Sequence, residues 1–148
     1  MTATIPVEIL LVEDNPYDVE LTLHALQKHN LVNRIHVVRD GAEALDFLFC
    51  RGAYQSREFS PAPKVILLDL KLPKVDGIEV LRQLRSDERT RVLPVVIMTS
   101  SRQERDIVET YELGINSYIV KPVDFDQFCE SVRQIGCYWL LLNQPPTL

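Results

Sequence analysis

The sequence predicts a doubly wound α/β fold, with a five-stranded parallel sheet covered by helices on both faces. Two observations lead to this prediction. Short runs rich in Val, Ile and Leu are almost continuously apolar, which is typical of parallel strands buried on both faces. Segments with apolar residues at helical spacing separate these runs, so that strand and helix alternate five times along the 148 residues.

The strands are predicted from five apolar runs. Four are strong: VEILLV 7–12, KVILLD 64–69, LPVVIMTS 93–100 and SYIV 117–120. A weaker run, RIHVV 34–38, supplies the remaining strand. The polar, proline-containing stretch GAYQSREFSPAP 52–63 predicts a long loop without regular structure.

The helices are predicted from start signals and from apolar spacing. Asn15 and Pro16 provide a cap residue and a first-turn proline. Asp40 and the Asp76-Gly77 pair precede two further helical patterns. The apolar positions of the five predicted helices are Val19, Leu23 and Leu26; Ala42, Leu45 and Leu48; Ile78, Leu81 and Leu84; Ile107, Val108 and Tyr111; and Phe125, Phe128, Val132, Ile135, Trp139 and Leu142.

Composition and charge exclude several classes of function. The formal net charge of −5 provides no basic surface for a phosphate backbone, so we expect no direct nucleic acid partner. No apolar segment approaches the roughly 20 residues that span a bilayer, and the N-terminal sequence lacks the features of a secretory signal. The three cysteines, Cys50, Cys129 and Cys137, lack metal spacing. We therefore expect a cytoplasmic protein with one domain over 1–148 and a core over about 7–142.

Polar side chains follow the predicted strands. Because the carboxyl ends of parallel strands meet at one edge of a sheet, these side chains are expected to converge there. The set consists of Glu13 and Asp14 after the first strand, Asp69 at the end of the third, Thr99 and Ser100 after the fourth, and Lys121 after the fifth.

Three carboxylates at one edge would repel one another, and their burial without partners would be costly. Mg²⁺ resolves this conflict because it prefers oxygen ligands and is usually held by one or two carboxylates together with phosphate oxygens. The pattern therefore predicts a Mg²⁺ site at Glu13, Asp14 and Asp69 that also holds a phosphoryl group. Lys121 and Thr99 could then contact phosphate oxygens, and Asp69 is a candidate nucleophile for an aspartyl phosphate.

Each residue alone has an ordinary structural explanation. An Asp after a strand is most often a helix cap or a solvated loop residue, a Lys-Pro pair usually indicates a turn, and a threonine such as Thr99 is common in strands. Only the joint pattern is specific.

The chain resembles the receiver domains of two-component response regulators over roughly residues 7–142. The matching features are Glu13-Asp14, Asp69 after VILLD, LPKVDG 72–77, Thr99-Ser100 and Lys121-Pro122. The spacing of Thr99, Tyr118 and Lys121 also fits the hydroxyl, switch aromatic and lysine of that family. The resemblance implies a flavodoxin-like sheet with strand order 2-1-3-4-5.

The resemblance implies that the chain is a signalling switch that catalyses only its own phosphorylation and dephosphorylation. Asp69 would accept a phosphoryl group from a phosphohistidine of a sensor histidine kinase or a phosphotransfer protein. Asp14, Asp69 and the backbone carbonyl of Lys71 would bind Mg²⁺, and Glu13 would act partly through water.

The resemblance also implies how phosphorylation would be detected. Lys121 would contact the phosphoryl group, Thr99 would move towards it, and Tyr118 would turn inward to fill the vacated space. In the family the peptide bond between Lys121 and Pro122 is usually cis.

A narrower resemblance concerns the stand-alone regulators of cyanobacterial phytochromes. It is carried by the stretch from RGAYQSREF to DGIEVL, by TSS 99–101, by NSYIVKPVDFDQF and by the terminal YWL. It implies a phytochrome-type histidine kinase as partner. Lys71 departs from this group, in which a smaller polar residue is commoner, and this places the dephosphorylation rate in doubt.

The output is expected to be a protein-binding event, because no DNA-binding or catalytic module follows the receiver sequence. Phosphorylation would change the face formed by residues 103–140. Within it, CYWLLL 137–142 is apolar nearly all round and either folds back onto its own core or packs on a partner. We expect a homodimer through this face.

Three alternatives remain open. An aspartate-nucleophile phosphatase or transferase of similar topology would need a general acid at the position of Lys71. A flavin-binding electron carrier would need a Ser/Thr/Gly-rich phosphate loop where this chain has the acidic EDNP. A scaffold with the same fold but without phosphorylation would not need the five key site residues.

Overall fold

A five-stranded parallel sheet forms the centre of the molecule. The computed structural model describes residues 7–27, 35–59, 62–100, 113–115 and 117–134. The strands lie in the order β2-β1-β3-β4-β5, and each described neighbouring pair is parallel. The predicted fold class and strand order are thus confirmed. The strand bounds are β1 Ile9–Val12, β2 Ile35–Val38, β3 Val65–Asp69, β4 Val95–Thr99 and β5 Ser117–Val120.

Four α-helices occur among the described residues, and their starts follow the cap signals of the sequence. Asn15 Oδ1 accepts hydrogen bonds from the backbone amides of Tyr17 and Asp18, at 2.9 and 3.3 Å. Asp40 and Asp76 cap the next two helices through the amides three residues on, at 2.6 and 2.9 Å. The helices are α1 Pro16–Gln27, α2 Gly41–Leu48, α3 Gly77–Ser86 and α4 Phe125–Gln134.

The core has two layers because successive strand residues point to opposite faces of the sheet. On one face, Leu10 and Val12 of β1 pack with apolar residues of α2 and α3. On the other face, Ile9 and Leu11 pack with apolar residues of α1 and with Phe128 of α4. Every residue of β1, β3 and β4 is buried, which explains why their sequences are almost continuously apolar.

Several expectations differ from the structure or lie outside it. The strands predicted at 7–12, 64–69 and 93–100 begin one or two residues later than predicted, and the strand predicted at 93–100 also ends one residue earlier. The start predicted for the second strand, residue 34, lies outside the described residues. The loop expected to be irregular contains one 3₁₀ turn, Gly52–Tyr54. The predicted helix around 107–111 and the chain after 134 lie outside the described residues. None of the described helices has the length and apolar character that crossing a membrane would require.

Candidate functional site

The register of the sheet brings Glu13 and Asp69 to the same level. Val12 of β1 pairs with Leu68 of β3, so the residues that follow them, Glu13 and Asp69, are neighbours across the two central strands. The backbone amide of Glu13 continues the ladder by donating to the carbonyl oxygen of Val38 at 3.1 Å. Parallel pairing of the central strands therefore places two acids side by side.

The remaining site residues come from the next two strands. Thr99 ends β4 and pairs with Val120 of β5, and Lys121 follows directly. The amide of Lys121 donates to the carbonyl oxygen of Thr99 at 2.8 Å, which fixes the lysine at this edge. The peptide bond between Lys121 and Pro122 is cis.

The acids predicted to bind a metal lie together. A carboxylate oxygen from each of Glu13, Asp14 and Asp69 lies within 4.8 Å of the other two. Glu13 is only 1% exposed and Asp69 only 5%, whereas Asp14 is exposed. The amide of Asn15 donates to Glu13 Oε2 at 3.2 Å. The amide of Lys71 lies 3.4 Å from Asp69 Oδ1, and the Lys71 residue is exposed.

The ammonium group of Lys121 lies against three carboxylates. Its Nζ is 2.5 Å from Glu13 Oε1, 3.2 Å from Asp69 Oδ2 and 3.3 Å from Asp18 Oδ2. The contacts to Glu13 and Asp69 join the lysine to the acid cluster. The contact to Asp18, in the first turn of α1, was not predicted from the sequence. A signal existed, because the first turn of a helix that follows β1 directly must lie near the same edge.

Burial and mutual charge shift the pKa values of this group. Burial raises the pKa of Glu13 to about 7, and the charge of Asp69 adds to the effect, while Lys121 opposes it. For Lys121, burial alone would lower the pKa, but the contacts with Glu13 and Asp69 outweigh it and hold the pKa above its ordinary value. The lysine therefore stays charged near neutral pH. At the same pH, both the protonated and the ionised form of Glu13 are populated.

The residues present fit a divalent cation. Oxygen is the only ligand type in the three-acid cluster, as Mg²⁺ prefers. Glu13 Oε1 is buried, and its close partner among the described residues is the Lys121 ammonium rather than a backbone amide. A buried carboxylate oxygen that is balanced by a cation, and that lies beside two other acids, is a suitable ligand for a metal ion.

The LPKVDG segment, residues 72–77, folds closely against the end of β3. The amide of Gly77 donates to the carbonyl oxygen of Leu70 at 2.9 Å, and Lys74 has a positive φ of 68°. The amide of Gly41 in α2 donates to the carbonyl oxygen of Pro73 at 3.3 Å. These contacts hold the segment that follows Lys71 against the end of β3 and the start of α2.

The two predicted switch residues are associated with the face of the sheet that packs on α2 and α3. Alternate residues of a strand point to the same face of the sheet. In β3, Val65 and Leu67 alternate with Leu68 and face α1 and α4, as the position of Asp69 then does. In β4, Val95 and Ile97 face α2 and α3, as the position of Thr99 then does. Thr99 is fully buried. Tyr118 is partly buried and packs against the cluster on the α2 and α3 face.

Comparison with known proteins identifies the family. The sequence model of the response regulator receiver domain family matches residues 9–133 of this chain. The chain belongs to the response regulator receiver family. This match favours the receiver interpretation over the flavin-carrier and phosphatase alternatives, and it agrees with the position of Asp69 at the end of β3.

Three similar receivers have solved structures. The bacteriophytochrome response regulator RtBRR is 55% identical over 95% of this chain and 83% of its own, with a TM-score of 0.84. The phosphorylated cyanobacterial phytochrome response regulator RcpA is 39% identical over 93% of this chain and 95% of its own, with a TM-score of 0.71. Response regulator Rcp1 of Synechocystis sp. is 38% identical over 91% of this chain and 90% of its own. The structure of the Mn²⁺-bound form of Rcp1 covers 94% of this chain and 98% of its own at 37% identity, with a TM-score of 0.70. The predicted resemblance to phytochrome response regulators is confirmed.

Proposed function

We propose that this receiver is a phosphorylation-activated switch that accepts a phosphoryl group on Asp69. One observation carries the proposal. The carboxylate of Asp69 lies 3.2 Å from the Lys121 ammonium on one side and belongs to the three-acid cluster on the other. A carboxylate placed between a fixed cation and a metal-binding site can attack phosphorus without strong repulsion from phosphate oxygens.

The transfer itself is a single displacement. One Asp69 oxygen forms a P–O bond as the P–N bond of the donor phosphohistidine breaks, and the imidazole leaves with the electron pair of that bond. When bound, Mg²⁺ would neutralise charge on the phosphoryl oxygens; Glu13, Asp14, Asp69 and the backbone carbonyl of Lys71 would hold it. Lys121 would donate to a phosphoryl oxygen. The protein would thus catalyse only its own phosphorylation and dephosphorylation.

The change would then be transmitted through Thr99 and Tyr118. In this proposal, the hydroxyl of Thr99 turns towards the phosphoryl group, and the ring of Tyr118 moves inward behind it. The buried position of Thr99 and the partly buried position of Tyr118 on the same face of the sheet support a shared repacking.

The proposed partner is a sensor histidine kinase of the phytochrome type, or a phosphotransfer protein. Support comes from the identity of 55% with a bacteriophytochrome response regulator and of 39% with a cyanobacterial phytochrome response regulator. The net charge of −5 supports a protein rather than a nucleic acid as partner.

A homodimer through the 103–140 face stays part of the proposal, although much of that face lies outside the described residues. Sedimentation of the full chain and of a variant truncated after Gln134 tests it. We expect the truncated variant to be folded and monomeric. An unchanged oligomeric state in a folded truncated variant would count against the dimer.

The acceptor is tested with a chemical donor, so that no kinase needs to be known. The protein is incubated with acetyl phosphate and Mg²⁺, and intact mass is measured for wild type and Asp69→Asn. We expect one phosphoryl group on wild type and none on the variant. Addition that survives the Asn substitution would show that another residue is the acceptor.

A further inference from the structure

Asp18 holds a defined position beside the lysine. Its amide donates to Asn15 Oδ1 at 3.3 Å, and its carbonyl oxygen accepts from the Thr22 hydroxyl at 2.8 Å. The Asp18 side chain is 26% exposed, and its Oδ2 lies 3.3 Å from Lys121 Nζ. The carboxylate is therefore presented to the lysine by the capped first turn of α1 rather than by a loop.

The three acids around Lys121 are not equivalent. An ammonium group has three donors, and Glu13, Asp18 and Asp69 place three acceptors around it. Glu13 and Asp69 also belong to the cluster able to hold a metal ion, whereas Asp18 does not. Among the described residues, Asp18 is thus the carboxylate in contact with Lys121 that has no second task in the site.

This difference matters when Glu13 and Asp69 hold a metal ion. A divalent cation shared by Glu13 and Asp69 would draw charge from them and repel a neighbouring ammonium. Both effects weaken the contacts that hold Lys121 inside, while the contact with Asp18 is retained. A lysine released to solvent could no longer reach a phosphoryl oxygen on Asp69.

We propose that Asp18 is a positioning residue that keeps the Lys121 ammonium in the site while Glu13 and Asp69 serve the metal and the phosphoryl group. The inference rests on the proposed function. It assigns Asp18 an action through Lys121 and no contact of its own with the reacting atoms.

The first test measures phosphorylation by acetyl phosphate in the presence of Mg²⁺. We expect Asp18→Asn to slow phosphorylation about tenfold, because a misplaced catalytic group costs rate. Glu20→Gln is the matched control, since it removes the same charge from an exposed position of α1, and its rate should equal that of wild type. In a Lys121→Ala background, Asp18→Asn should slow the reaction no further.

The second test uses metal-free protein and does not depend on phosphorylation. Urea unfolding in EDTA is measured for wild type, Asp18→Asn, Lys121→Ala and the double variant. We expect Asp18→Asn to lower the urea midpoint when Lys121 is present. With Lys121 absent, the same substitution should lower the midpoint less, because only the favourable interaction of Asp18 with the first turn of α1 is then lost. Lys121→Gln replaces Lys121→Ala if the latter does not fold.

The outcomes separate the two proposals. Equal slowing by Asp18→Asn in both backgrounds, or a loss as large for Glu20→Gln, would overturn the role of Asp18. Additive urea midpoints would do the same. Asp18→Glu should recover part of the rate, and failure to do so would indicate a merely structural role. If wild type is not phosphorylated on Asp69, the proposed function fails, yet the metal-free coupling between Asp18 and Lys121 is still measured.

Discussion

Gly77 lies so close to Asp69 that a Cβ atom at position 77 would be 2.3 Å from the Asp69 carbonyl oxygen and 2.6 Å from the Leu70 Cα. Both obstacles are backbone atoms, which cannot move aside as a flexible side chain can. The start of α3 therefore packs directly on the strand end that carries the proposed phosphoryl acceptor. This close approach explains why the LPKVDG segment ends in glycine.

Gly77→Ala should lower the free energy of unfolding by about 3 kcal/mol, because the added methyl group forces α3 away from β3. It should also slow phosphorylation of Asp69 by displacing the acceptor. Urea unfolding and acetyl phosphate kinetics measure the two effects. Gly114→Ala is the control: the nearest atom to its added Cβ would be Arg85 Nε at 3.5 Å, and its φ of +66° alone should cost roughly 1 kcal/mol. Equal losses for both variants would contradict the steric explanation.

The raised pKa of Glu13 predicts a pH dependence of stability in the metal-free protein. Burial raises this pKa from 4.5 to about 7. The stabilisation is therefore complete below pH 4.5 and is lost as the pH rises through about 7. We expect the free energy of unfolding to fall by on the order of 3 kcal/mol across this window, measured by urea unfolding in EDTA.

Two comparisons check the assignment to Glu13. Glu13→Gln should remove the fall, because the amide does not ionise. Mg²⁺ should reduce it in wild type, because a cation stabilises the ionised carboxylate. A fall of the same size in Glu13→Gln would show that another group titrates.

A second pH effect arises on the opposite face of the sheet, around His36. Its ring stacks on Phe47 with centroids 4.7 Å apart, and its Nε2 lies 3.0 Å from the Tyr54 hydroxyl. That hydroxyl donates its proton to Glu43 Oε2 at 2.6 Å, so His36 Nε2 is the donor in its own contact. Burial is the main reason that the pKa of His36 lies below 6.5.

The lowered pKa of His36 means that the unfolded chain takes up a proton before the folded protein does. Stability contributed by neutral His36 is therefore present above pH 6.5 and is lost as the pH falls below it. We expect the difference in unfolding free energy between wild type and His36→Gln to become smaller as the pH falls from about 7.5 to about 5. His24→Gln is the control, since His24 is exposed on α1. A constant difference for His36→Gln would contradict the prediction.

Much of the fold could be predicted because burial on both faces leaves a strong trace in the sequence. The residues of β1, β3 and β4 are all buried, so their apolar runs are continuous. The convergence of Glu13, Asp14, Asp69 and Lys121 was also predictable, because the carboxyl ends of parallel strands meet at one edge of the sheet. The structure brings the three acids within 4.8 Å and places the lysine against two of them.

The contacts that could not be predicted depend on long side chains rather than on periodicity. Asp18 and Lys121 are 103 residues apart, and their contact depends on which way a flexible lysine points. The packing of His36 against both Phe47 and Tyr54 depends on the 3₁₀ turn in a segment expected to be irregular. Local sequence signals do not encode either geometry.

The last prediction concerns Arg85, which lies near the C-terminal end of α3. In the structure its Nη2 donates to the carbonyl oxygen of Gly114 at 2.9 Å, and its Nη1 to those of Leu93 and Arg91 at 2.9 and 3.1 Å. The guanidinium thus joins α3 to the segments that precede β4 and β5. Burial lowers the pKa of Arg85, as expected for a half-buried cation.

Arg85→Lys should lower the free energy of unfolding by about 2 kcal/mol, because an ammonium group cannot reach all three carbonyl oxygens at once. Arg82→Lys, on the same helix, is the matched control. Its partner is Glu79 at 2.7 Å in an exposed pair, so the loss should stay below about 0.5 kcal/mol. Because Leu93 and Gly114 precede their strands, they lie at the edge of the sheet opposite Asp69. Arg85→Lys should therefore be phosphorylated by acetyl phosphate at the wild-type rate, and a slowed rate would show that the two edges are coupled.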